Sequence, residues 1–166
     1  MKNLLCIAAT TLIMGSSAMA QDFLLTADDV SGTLYTSCIL ADVGQSALIQ
    51  AELLARSYSD YEKGERTDAG RVFSHPLGGR MVLQGSEQMI SCNFTMPVSA
   101  VLEDERGDIL ETLNRRFLSL YGVPSQVEKT DTGEVWSHTS DGGNAMSVTV
   151  GINDGILSVV SLTQTD

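Results

Sequence analysis

The sequence predicts an α+β fold of two layers, built twice from one unit: a helix followed by a three-stranded antiparallel meander. Two observations carry this. The first is a repeated stretch: Thr67-Asp68-Ala69-Gly70-Arg71-Val72-Phe73-Ser74-His75 is answered by Thr130-Asp131-Thr132-Gly133-Glu134-Val135-Trp136-Ser137-His138. The same shift carries Gly44 onto Gly107, Tyr58 onto Tyr121 and Arg66 onto Lys129. The second is that helical and strand periodicities recur in the same order on both sides of the repeat. Neither unit buries its apolar face alone, so the expectation is one sheet of about six strands with both helices packed on one face. The two units span residues 38–97 and 101–165 of a single domain, 21–166.

Residues 1–20 read as a cleaved secretory signal. Lys2 supplies the basic start, Leu4 to Met14 an uncharged and mostly apolar run, and Ala18-Met19-Ala20 the small-residue cleavage site. The apolar run is too short to cross a bilayer, so membrane insertion is not expected. Gln21 to Ser37 reads as a lead-in, with Thr26 placed to cap a short helical turn through Ala27, Asp28 and Asp29.

After Gly44, the spacing of Ala47, Leu48, Ala51, Leu54, Ala55 and Tyr58 predicts an amphipathic helix that ends near Ser59. The polar stretch from Glu62 to Asp68 has the composition of a loop. Strands are expected at Arg71 to Ser74, Arg80 to Gln84 and Met89 to Thr95, separated by the turns Pro76-Leu77-Gly78-Gly79 and Gly85-Ser86-Glu87 and stopped by Pro97. In the second unit Asp108 is placed to cap a helix with Ile109, Leu110, Leu113, Phe117, Leu120 and Tyr121 on its apolar face, ended by Gly122 and Pro124. Strands follow at Glu134 to Ser137, Ala145 to Ile152 and Ile156 to Thr163. In its element order this architecture resembles the exported helix-plus-meander repeats of the β-lactamase-inhibitor-protein type and their outer-membrane-lipoprotein relatives. The resemblance implies the fold and no site residues.

Without Lys2, nine basic side chains face twenty-one acidic ones, a net charge of −12. Such a balance opposes binding to nucleic acid or an anionic membrane and favours a basic protein as partner. After cleavage two cysteines remain, Cys38 and Cys92, and in an exported chain they read as one structural disulfide. Periplasmic or secreted localisation follows from the same features.

His75 and His138 are the only histidines and occupy equivalent positions in the repeat. With Asp68 and Asp131 they form the candidate site, in which two imidazoles and two carboxylates would hold a metal or serve hydrolysis. Against it, the ligands lack tight local spacing, and each histidine simply ends a strand. Ser74 and Ser137 are neighbours of the histidines and so point to the opposite face. Glu103-Asp104-Glu105 reads as a solvated turn before the second helix. The expected function is therefore a small exported binding or accessory module without catalytic activity, cofactor or metal, its most specific form one that binds or inhibits a basic protein. The alternative is an enzyme centred on His75 and His138.

Overall fold

A computed structural model describes residues 24–58, 61–67 and 70–165. The signal segment lies outside these residues. The described chain is mixed α+β, with helices α1 (Ala27–Ser37), α2 (Gln45–Tyr58) and α3 (Ile109–Tyr121). The strands are β1 (Glu62–Thr67), β2 (Gly70–Ser74), β3 (Arg80–Gly85), β4 (Met89–Pro97), β5 (Gln126–Thr130), β6 (Gly133–Thr139), β7 (Ala145–Asn153) and β8 (Ile156–Gln164). They form one antiparallel sheet in the order β1-β2-β3-β4-β8-β7-β6-β5. Exchanging β1–β4 for β5–β8 reverses that order onto itself.

Eight strands replace the six expected. The two additions, β1 and β5, are the edges of the sheet. Their sequences, Glu62 to Thr67 and Gln126 to Thr130, are largely polar, and charge on an edge strand discourages pairing with another chain. A third helix also appears where a single turn was expected. Thr26 does cap it, in a reciprocal box: its hydroxyl accepts from the Asp29 amide at 3.0 Å while Asp29 accepts from the Thr26 amide at 2.9 Å.

α1 packs against both α2 and α3 and lies over the middle of the sheet. Three ties fix its far end there. Cys38 is disulfide-bonded to Cys92 of β4. The Ser161 hydroxyl donates to the Cys38 carbonyl, and the Thr163 hydroxyl, also on β8, donates to the Leu40 carbonyl. Across to α3, the Tyr35 hydroxyl donates to the Leu113 carbonyl at 2.7 Å, and the Tyr121 hydroxyl returns to the Ile39 carbonyl at 2.9 Å.

The strands alternate as a one-sided sheet requires. Phe94 pairs with Met81 on β3 and with Val159 on β8, and all three are buried beneath the helices with Cys92, Val148 and Trp136. Asn93, Ser158, Thr149 and Val160 alternate with them and face outward, exposed. Phe117 packs against Trp136 with ring centroids 5.3 Å apart and planes tilted by 59°, which seats α3 on β6. Gly122, at φ +75°, ends α3 by donating to the Leu118 carbonyl at 3.1 Å. Asp108 precedes α3 but its side chain makes no capping bond; a 3-10 turn, Glu103–Asp108, runs straight into the helix instead.

Candidate functional site

His75 follows β2 and turns inward, while Ser74 before it is exposed, as the strand's alternation dictates. Its amide donates to the Gly79 carbonyl at 2.8 Å, closing the β2–β3 turn. Its Nδ1 accepts from the Leu77 amide at 3.2 Å, which leaves Nε2 to carry the proton. The imidazole is 8% exposed and lies 5.1 Å from the ring of Tyr61.

These two rings belong to a cleft of about 410 Å³ between α1 and the sheet. Its buried wall is Tyr61, His75, Phe94 and Met96; its rim carries the exposed Asp28 and Asp29 and the half-buried Thr33 of α1, with half-buried Arg116 of α3. Arg116 donates to Asp28 at 2.9 Å across the rim. Gly32 permits this crossing, since a Cβ there would sit 3.0 Å from the Arg116 guanidinium.

Tyr61 supplies the cleft's unsatisfied group. Its side chain is 4% exposed and its hydroxyl has no hydrogen-bond partner among the described residues. Burial pushes its pKa far up, so the hydroxyl stays protonated and available as a donor. A buried hydroxyl without a partner costs about 1–3 kcal/mol. Tyr61→Phe is therefore expected to keep the fold and raise stability by about 1 kcal/mol, read as a higher urea midpoint at unchanged slope.

His138 has different surroundings. It is half-buried on β6, 5.7 Å from the Tyr121 ring and 6.2 Å, edge-on, from the Phe117 ring, so it extends the aromatic packing under α3. β3, β4, β8 and β7 intervene between the strands that carry the two histidines. At about 4.8 Å per strand, the imidazoles are on the order of 24 Å apart. Asp131 is exposed in the β5–β6 turn, roughly 20 Å along β6 from His138 at about 3.3 Å per residue. Asp68 lies outside the described residues. His75, His138 and Asp131 are thus not brought together. Among the described residues no group of three or more His, Cys, Asp or Glu side chains is placed to hold a metal ion.

No protein-family model, curated protein or solved structure matches this chain. The site therefore rests on its own geometry.

Repetition singled out His75 in the sequence, but its partners there are not the predicted ones. Tyr61, Asp28, Asp29 and Arg116 come from three separate elements, and only the capping position of Asp29 gave a local signal. The acids expected as a solvated turn also take part in the same end of the molecule: Glu105 accepts from the Ala27 amide at 2.7 Å and so steadies the first turn of α1.

Proposed function

We propose that this chain is an exported, non-enzymatic binding or accessory module that docks a basic protein through its acidic end. The observation that carries the reading is where the acids gather. The Ala27–Glu105 bond joins the start of α1 to the 3-10 turn before α3. This brings Asp28 and Asp29 together with Glu103, Asp104, Glu105 and Asp108. Against these six acids stand Arg106 and Arg116, a net of −4 at one end of the molecule. The open sheet face, by contrast, carries among its described residues only Glu62 and Glu128, on the two edge strands. Complementary charge of this kind steers association and sets specificity.

The Tyr61–His75 cleft adjoins this end through Asp28 and Asp29. It suits an apolar side chain with one polar atom at its tip, flanked on the partner by lysines or arginines that meet the rim carboxylates. The Cys38–Cys92 disulfide supports the exported compartment, and the palindromic strand order supports a duplicated scaffold. An enzyme centred on both histidines has no shared geometry behind it.

The test is fluorescence anisotropy of the mature chain against basic and acidic decapeptides, with and without a central aromatic residue. Basic peptides alone are expected to bind, with affinity that falls as salt rises. The triple variant Glu103→Gln, Asp104→Asn, Asp108→Asn is expected to weaken binding by about tenfold or more, and Tyr61→Phe to erase the preference for a central aromatic. Undiminished binding by the triple variant would reject the reading.

A further inference from the structure

A second cleft, of about 280 Å³, opens between α2 and the edge hairpin β1–β2. It gathers cations in a chain that is otherwise acidic. Lys63 lies opposite Phe73, and Arg66 lies directly opposite Arg71; because Phe73 faces the helices, so do all three basic positions. Like charges facing each other across two strands destabilise the pair. The corresponding positions of the other half hold Lys129 opposite Glu134, which attract.

Among the described residues, nothing repays the arginine pair in full. Glu52 of α2 lies 3.0 Å from the Lys63 ammonium and 3.9 Å from Arg71 Nε, an ion pair with Arg71 but beyond hydrogen-bond reach. Arg71 Nη1 donates to the Gly64 carbonyl at 3.3 Å, while its Nε is buried without a hydrogen-bond partner among the described residues. The charged lining, Arg66 and Arg71 against Glu52 and Glu87, sums to zero, and Glu52 is shared with Lys63, which lies outside the lining. The rest of the lining includes Leu48 and the half-exposed Ile49, an apolar strip along α2.

From this geometry we infer that the cleft binds an oxyanion, a carboxylate or phosphate, carried on a short apolar stem. Two guanidinium groups side by side are suited to bidentate capture of such a group, and an unmet Nε–H is the donor it would satisfy. The anion neutralises the Arg66–Arg71 repulsion, and its stem lies along Leu48 and Ile49. This site is distinct from the Tyr61–His75 cleft and does not depend on it.

The experiment is an NMR titration of the mature chain, following arginine Nε–H signals, with hexanoate, hexyl phosphate and hexanol at fixed ionic strength. Saturable shifts at Arg66 and Arg71 with either anion, and none with hexanol, are expected; the tighter anion identifies the headgroup. Arg66→Glu places an opposite charge across from Arg71, as at Lys129–Glu134. It is expected to weaken binding by about tenfold or more while the melting temperature holds or rises. Arg80→Gln, an exposed arginine on the outer face, is expected to leave binding within about twofold. Equal shifts with hexanol, unsaturable shifts, undiminished binding by Arg66→Glu, or equal loss with Arg80→Gln would each overturn the site.

Discussion

Replacing Cys38 and Cys92 together by alanine is expected to destabilise the protein by about 4 kcal/mol, the loss of chain entropy restrained by a cross-link of this span. That is a large share of the roughly 5–15 kcal/mol that holds an ordinary domain. The effect falls mainly on the unfolded state, because other ties keep α1 in place once folded: Ser161 and Thr163 still reach the backbone at Cys38 and Leu40, and Tyr35 still reaches Leu113. The native fold should therefore persist with a lower urea midpoint. Where it weakens first is also determined. α1 contains Ser31, Gly32, Thr33 and Thr36, all poor helix formers, so its amides should lose exchange protection before those of β4 and β8. A loss below about 1 kcal/mol would show that side-chain packing alone anchors α1 and that the cross-link adds little.

The same helix shows why part of the fold was hidden in the sequence. Ala27, Val30, Ser31, Leu34, Tyr35 and Cys38 are buried, and their spacing is helical. Yet Ser31 occupies a core position and Gly32 interrupts the run, so local preference argues for a lead-in while tertiary contacts decide for a helix. The six inner strands were legible because each alternates apolar with polar residues and is bounded by glycine or proline turns. α2 and α3 were legible for the corresponding reason, a stripe at helical spacing. β1 and β5 were not, because their described side chains stay exposed and show no apolar alternation; all five residues of β5 are exposed. The site followed the same division. His75 was marked by repetition, but Tyr61, Asp28 and Arg116 meet it only through the sheet order and the placing of α1 over the centre. No sequence window contains that meeting.

Gly133→Ala is expected to cost about 3 kcal/mol or more, with Gly70→Ala comparable, and the reason explains the repeated motif. A Cβ on Gly133 would lie 1.9 Å from the Val150 carbonyl oxygen and 2.6 Å from the Gly151 Cα; both obstacles are backbone and cannot swing aside. A Cβ on Gly70 would lie 2.4 Å from the Leu83 carbonyl oxygen, and Gly70 also holds φ +117°, a conformation other residues resist. Arg71 pairs with Leu83 and Glu134 with Val150, so each glycine starts its strand against the same point of its neighbour. In the second half the Thr132 carbonyl also accepts from the Ile152 amide at 3.2 Å, which draws the β5–β6 turn onto β7. Two controls separate this steric cost from the ordinary cost of replacing glycine. Gly107→Ala meets nothing within 4 Å and is expected to be nearly neutral. Gly143→Ala also meets nothing but holds φ +84°, and is expected to cost about 1 kcal/mol. If Gly133→Ala unfolds no more readily than Gly143→Ala, close backbone approach is not what the motif's glycine serves. If the ranking holds in thermal and urea unfolding, the glycine of Thr-Asp-x-Gly is there because the turn must press against the next strand. The histidine of each copy then inherits its position from that scaffold: His75 lines the cleft beside Tyr61, and His138 a separate one of about 210 Å³ with Ser125 and Ser137.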